Sequence, residues 1–298
     1  MKNKVFFIGV GAVKSGSTWM GSLLAQHPEV CMSYRKEIAY FNTKNFNGTK
    51  NESSEYGIEY YLQFWPKTEK IKGEISPQYL FDVDSPRRIK DIFPDTHILM
   101  MLRNPKEVVY SHYLYEKYFN QSINASESFI DALSSTSYLL KSAFFTEQIQ
   151  RYFNIFDRDK IHIYFLDEAL DDPSLFSRQL YQDLNLKDIN FKPDYSSKNN
   201  SKQIKSKWIH FLIVLPSIVK KMIEKSFLNR VLKKVRSSMF FIRIVNWRNN
   251  LLDRNVKLFK KPNMTKEEKL YLDGCLNSEI ESLEKLLGVN LSRWKTID

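Results

Sequence analysis

The chain predicts an α/β fold: a three-layer arrangement in which a mostly parallel central sheet carries helices on both faces, followed by a helical C-terminal third. Three observations lead there. Short apolar, β-branched runs recur through the first two-thirds of the sequence, longer segments with helical spacing separate them, and the strand signals fade after Leu186. Strands alternating with helices favour parallel pairing, because a parallel crossover needs a connection long enough to hold a helix.

Val5–Val10, Glu29–Met32, Ile71–Glu74, His97–Leu102 and Ile161–Leu166 read as strands, each a short apolar run of four to six residues. Met20–Gln26 is compatible with a helix. Helical spacing of apolar residues marks Ser85–Phe93, Pro105–Phe119, Tyr138–Phe156 and Pro173–Leu184, three of them opening on a proline at or next to the first helical position. Asp194–Lys202, rich in Ser, Asn and Lys, reads as a loop, and a basic helical pattern follows to about Lys261. Thr265 with Glu268 three residues later is a capping-box signature, so a last helix is expected to begin there, run to about Leu287 and stop at Gly288.

At 298 residues with 43% apolar content the chain is long enough to bury a substantial core, and it reads as a single domain, 1–298. Cys31 and Cys275 are too far apart in sequence to suggest a disulfide framework or a cysteine-based zinc site, and His27, His97, His112, His162 and His210 show no metal-ligand spacing. The start Met1–Lys4 runs directly into Val5–Ile8 without a signal-peptide pattern. The longest apolar run, Trp208–Val219, is 12 residues, against roughly 20 for a membrane span. A reducing, cytoplasmic setting is expected.

Charge is uneven. The net is +11, yet 202–261 alone holds 16 Lys/Arg against Glu224 and Asp253, leaving the rest of the chain slightly acidic. This basic segment reads as a solvated face, as a dock for an anionic membrane surface to which the chain attaches peripherally, or as a clamp for an anionic glycan; no nucleic-acid-binding signature accompanies it, so no nucleic acid is expected.

The first strand leads into Gly9-Val10-Gly11-Ala12-Val13-Lys14-Ser15-Gly16-Ser17-Thr18-Trp19 and then into helical sequence. Backbone N–H groups at a helix start, a lysine and two hydroxyls suit a phosphate; an ordinary tight turn is the alternative. This is not a Walker A loop, because Lys14 precedes Gly16. After the fourth strand comes Arg103-Asn104-Pro105, with Ser111 eight positions beyond Arg103, under two turns into the next helix after Pro105. A guanidinium at a strand's carboxyl end and a hydroxyl under two turns into the helix can grip one phosphate from two sides.

Together, Val13–Trp19 and Arg103–Ser111 resemble the two phosphate-binding motifs of the sulfotransferases that use 3′-phosphoadenosine 5′-phosphosulfate (PAPS), which have a P-loop NTPase-like fold. Ser33–Phe41, Gly73–Leu80 and Glu279–Trp294 are similar to segments of the branch that includes heparan sulfate and bacterial glycan sulfotransferases. Ile75 departs from the pattern: the animal heparan enzymes carry a lysine there. Their disulfide-bearing cofactor loop is replaced by the basic stretch.

The resemblance implies sulfuryl transfer from PAPS to a hydroxyl, or less often an amine, of a glycan or glycolipid, leaving adenosine 3′,5′-bisphosphate and requiring no metal. It implies that Lys14, Ser15, Gly16, Ser17, Thr18 and Trp19 bind the 5′-phosphosulfate, that Arg103 and Ser111 bind the 3′-phosphate, and that Lys14 also stabilises the bridging oxygen. Glu37 is the implied catalytic base, a role that partial desolvation beside aromatics would suit, with a surface glutamate on a loop as the alternative; Glu74, at a strand end, is the second candidate, with a structural or acceptor-binding carboxylate as its alternative. His112 could also be proposed as a base, but it belongs to the helix that holds the 3′-phosphate and reads more readily as facing the core or solvent. The aromatic runs Tyr56–Trp65 and Tyr110–Phe119 suit either an acceptor groove or core packing. A kinase-like phosphotransferase and an inactive membrane-surface scaffold are the competing functions.

Overall fold

The computed structural model describes residues 5–120, 122–187, 193–196, 202–204, 256–258 and 261–295. Five strands, β1 (Val5–Gly11), β2 (Val30–Met32), β3 (Ile71–Ile75), β4 (His97–Leu102) and β5 (Ile161–Phe165), form one sheet in the order β2-β3-β1-β4-β5, with every pairing parallel. They lie on the apolar runs, with ends moved by at most one residue. The helices are α1 (Ser17–Gln26), α2 (Ile58–Leu62), α3 (Gln78–Phe81), α4 (Ser85–Ile92), α5 (Pro105–Tyr115), α6 (Phe129–Ser135), α7 (Tyr138–Lys141), α8 (Phe145–Phe153), α9 (Leu166–Asp171), α10 (Pro173–Asp183) and α11 (Lys266–Leu287).

Successive strand residues face opposite sides, which sorts the core into two layers. On one face Phe7, Leu99, Met101 and Tyr164 pack with Trp19, Met20, Leu23 and Leu24 of α1 and with Phe176 and Leu180 of α10. On the other, Ile8, Glu74 and Ile98 stand in register across three strands. There α3 lies over β1, and the Tyr152 hydroxyl of α8 donates to the Tyr79 carbonyl of α3 at 2.9 Å. Both faces of the sheet are therefore covered, as near-continuous apolar strands require.

Two helices depart from expectation. Tyr138–Phe156 is not continuous: α7 ends at Lys141 and α8 begins at Phe145. The Ser142 hydroxyl donates back to the Leu139 carbonyl at 2.7 Å and meets the His112 imidazole at 3.1 Å, while the Gln148 side chain caps the Lys141 carbonyl at 2.8 Å. The backbone ladder tightens there to bonds from Ala143 to Leu140 and from Phe144 to Lys141, and these side-chain bonds supplement it. Pro105–Phe119 is helical, but from Glu116 to Asn120 it widens into a π turn. The last helix starts and stops as its signals predict. Thr265 and Glu268 complete the capping box, and Gly288 closes α11 in the left-handed region at φ 67°.

Contacts divide the chain into two compact units, Met1–Tyr113 with Ser126–Asn199 and Asn263–Asp298, and Leu114–Ala125 with Asn200–Pro262. The second unit contains the π turn, where the Glu116 carboxylate accepts from Asn120 and Ser122. It also contains an antiparallel pair, β6 (Lys202–Ile204) with β7 (Val256–Leu258). Those two ends of the basic segment are strands, not the loop end and helix the sequence suggested; three residues are too few for a period of two to show. The apolar run Trp208–Val219 and its basic neighbours lie outside the described residues, and among the described helices none is long and apolar enough to cross a membrane.

The closing segment of the first unit braces the end of β4. Lys106 is fully buried, with its ammonium 2.5 Å from Asp273 of α11 and 2.8 Å from the Lys295 carbonyl. Asn104 donates to the Trp294 carbonyl at 3.4 Å, and the Trp294 indole donates to Asp167 at 2.7 Å. A buried ammonium is tolerated because a carboxylate and a carbonyl replace its water.

Candidate functional site

In an open parallel sheet, ligands bind outside the carboxyl ends of the strands, where successive connections part to opposite sides. Here that point is the end of β1, which has β3 on one side and β4 on the other. The β1–α1 loop starts there. It is tied to β4 by the Ala12 amide, which donates to the Met101 carbonyl at 2.8 Å. Lys14 and Gly16 are both left-handed, at φ 58° and 83°. The dihedral favours glycine at position 16, and a Cβ there would fall 2.6 Å from a Leu166 methyl, which would have to move aside. The Gly16 carbonyl accepts from the Trp19 and Met20 amides at 2.9 and 3.1 Å. No side chain caps α1, which leaves its first N–H groups, those of Ser17 and Thr18, without acceptors inside the helix.

The two predicted phosphate motifs meet. An Arg103 Nη donates to the Lys14 carbonyl at 3.4 Å, and the other Nη pairs with Glu107 one turn along α5. Thr18 is exposed, while Lys14, Arg103 and Ser111 are half-buried. Ser15 is fully buried with its hydroxyl on the Val13 carbonyl, and Trp19 is 3% exposed, stacked on Phe176 and donating to the Tyr195 carbonyl. These two side chains anchor the loop from within the core, so they reach a ligand only through their main chain.

Glu37 and Glu74 occupy opposite environments. Glu37 follows β2 and lines a cleft of about 250 Å³ together with Ser17, Thr18, Ser22, Tyr34 and Ile75. It is exposed rather than desolvated, and it pairs with the still more exposed Lys36 at 3.8 Å. Glu74 is fully buried. Its Oε1 accepts from the Tyr61 and Tyr79 hydroxyls at 3.0 and 2.9 Å, its Oε2 from Ser76 at 2.7 Å, and the Ile38 amide also donates to it. Burial pushes its pKa up to about 7 against the opposing pull of those four donors.

His112 is in the core, 2% exposed. Of the aromatic runs, Tyr61, Phe64, Trp65, Tyr110 and Tyr113 are buried and pack the core. The aromatic residue that does line the cleft is Tyr34, 43% exposed, which sequence reasoning did not single out; its only signal was its position three residues before Glu37. Ile75, the position that departs from the resembled pattern, also lines the cleft, so the wall is apolar there. Among the described residues no group of three or more His, Cys, Asp or Glu is arranged to hold a metal.

A parallel α/β sheet with a lysine-bearing loop and a helix start at its central switch point defines a protein of the phosphate-loop class. Within that class, the chain belongs to the sulfotransferase domain family, whose model matches residues 4–226. It is 30% identical over 112 residues to the membrane-associated sulfotransferase kil1 of Dictyostelium discoideum, covering 36% of this chain and 22% of that protein. It is 26% identical over 144 residues to human bifunctional heparan sulfate N-deacetylase/N-sulfotransferase 2, covering 44% of this chain and 15% of that protein. The chain thus matches about a fifth or less of the length of these relatives. The fold is that of a sulfotransferase from Alicyclobacillus acidocaldarius, with a TM-score of 0.67 at 20% identity over 97% of this chain and 98% of the other.

Proposed function

We propose that the protein is a PAPS-dependent sulfotransferase acting on a hydroxyl, or an amine, of a glycan. The observation that carries this reading is that one cleft is lined both by Ser17 and Thr18 at the start of α1, directly after the β1–α1 loop, and by Glu37. Group transfer needs a donor and a base on the same reacting atom, and these elements supply both from different parts of the sheet. Family membership supports the chemistry, and the heparan sulfate relative supports a carbohydrate acceptor.

Lys14 and the amides of Gly16, Ser17 and Thr18 hold the 5′-phosphosulfate, and Arg103 with Ser111 holds the 3′-phosphate. The acceptor oxygen forms a bond to sulfur as the bond from sulfur to the 5′-phosphate oxygen breaks. Glu37 takes the acceptor proton, Lys14 stabilises the charge arriving on the phosphate oxygen, and adenosine 3′,5′-bisphosphate leaves. Such a displacement draws its rate from positioning and fixed charges, as phosphoryl transfer does.

The test is transfer of labelled sulfate from PAPS to a panel of polysaccharides, with calorimetric binding of adenosine 3′,5′-bisphosphate. Glu37→Gln is expected to lower kcat by about 10²- to 10⁴-fold with bisphosphate affinity unchanged. Lys14→Ala is expected to lower kcat by roughly 10²- to 10³-fold and to weaken bisphosphate binding as well. Wild-type protein that neither binds the bisphosphate nor sulfates any polysaccharide would sink the proposal and favour a fold kept without its chemistry.

A further inference from the structure

We infer that Glu74 is a positioning residue for the Glu37 loop, anchoring three successive amides, those of Ile38, Ala39 and Tyr40, through one buried carboxylate and two hydroxyls. That this positions a catalytic group rests on the reading of Glu37 as the base.

The loop needs such an anchor. Glu37 and Ala39 are both left-handed, at φ 53° and 52°, and neither is glycine. Non-glycine residues in this region persist where surrounding structure over-determines them. The determinants are three bonds in a row. The Ile38 amide donates to Glu74 itself, the Ala39 amide to the Ser76 hydroxyl at 3.0 Å, and the Tyr40 amide to the Tyr79 hydroxyl at 2.9 Å.

Each hydroxyl has a single proton, and Glu74 decides where it goes. Ser76 and Tyr79 give theirs to the carboxylate, which leaves their oxygens as acceptors facing the loop. When ionised, the carboxylate accepts and does not donate, so in that form it enforces this polarity on both. From the other side, Asn51 and Ser53 donate to the Ala39 carbonyl, Ser53 at 3.1 Å. The peptide that follows Glu37 is thereby fixed, and with it the direction in which the Glu37 side chain leaves the backbone. Glu74 has no exposed surface and both its oxygens are occupied, so it meets no acceptor sugar directly.

Glu74→Gln keeps the shape but puts an NH2 where an acceptor stood, which obliges one hydroxyl to turn its proton away. In the full-length chain, hydrogen exchange read by mass spectrometry is expected to speed up at least tenfold in peptides covering 38–40, with β1 and β4 unchanged. The same variant is expected to lose about 10- to 100-fold in kcat with KM for PAPS within twofold. If Glu74→Gln does not fold, Tyr79→Phe serves instead and is expected to deprotect Tyr40 selectively. Unchanged exchange at 38–40, acceleration shared equally by β1 and β4, or a deprotected loop with wild-type kcat would each overturn the inference. Full activity in Glu37→Gln overturns the base assignment alone, because the exchange result does not depend on it.

Discussion

The loop after β1 and the loop after β2 both carry left-handed residues beside the cleft, and they are held there by different means. The first is secured mainly by its own main chain: Ala12 bonds to β4, the Gly16 carbonyl accepts the Trp19 and Met20 amides of α1, and Gly16 itself removes the steric cost of its dihedral. The second has no glycine between Ser33 and Phe41. Glu37 and Ala39 are held by side chains that lie 12 to 39 positions from the backbone groups they bond, namely Asn51, Ser53, Glu74, Ser76 and Tyr79. A phosphate is recognised by backbone N–H groups, so a locally determined loop suffices for it. A catalytic carboxylate has to be aimed, and aiming needs an external frame.

The largest effect that separates the two loops is expected from Gly16→Val. A β-branched residue at φ 83° is strained, and its Cβ meets Leu166 in the core, so stability should fall by roughly 3–5 kcal/mol, read by denaturant unfolding, with bisphosphate binding lost. Retained stability and binding would mean that the first loop does not depend on its glycine.

The next effect comes from the frame of the second loop. The pKa of Glu74 is raised in the folded state from 4.5 to about 7, so the native protein holds a proton that the unfolded chain has released. Its contribution to stability is therefore complete below about pH 4.5 and is lost as pH rises towards and through 7, by about 3 kcal/mol. The His97 and His162 pair works in the opposite direction. Burial lowers both pKa values, that of His97 to about 4, so this pair adds stability as pH rises from about 4 to 6.5. Subtracting the pH–stability curve of Glu74→Gln from that of the wild type isolates the carboxylate: the wild type should lose ground to the variant between pH 4.5 and 7. A flat difference would show that Glu74 titrates normally. In this picture the ionised carboxylate pins the loop while costing global stability, a strain that functional sites commonly carry.

The smallest effect is the most discriminating. Ala39→Gly relieves a left-handed alanine but loosens the unfolded chain, so stability should stay level or rise by less than about 1 kcal/mol. Ala132→Gly in the interior of α6 should instead cost about 1 kcal/mol or more. Equal losses at both positions would show that the second loop is not strained.

Much of the molecule is legible without coordinates. The strands follow apolar runs such as His97–Leu102, and α11 starts and ends on its capping signals, because both depend on neighbours in sequence. Lys14 and Arg103 were legible as a pair for the same reason, each sitting in a short motif at a strand end. What misled was local too: Tyr138–Phe156 has helical spacing, and nothing in the run itself reveals that Ser142 meets the buried His112. Glu37 and Glu74 were both readable as candidate carboxylates, yet not as different kinds.

By itself, the sequence determined the α/β class, the order of its elements and the two phosphate motifs, since periodicity, capping and tight turns are written within a few residues. Only the tertiary structure decided that Glu37 opens on the cleft while Glu74 is sealed behind it under Tyr61, Ser76 and Tyr79. Burial and hydrogen-bond direction are properties of groups brought together across the sheet, and two glutamates look alike until their surroundings are assembled.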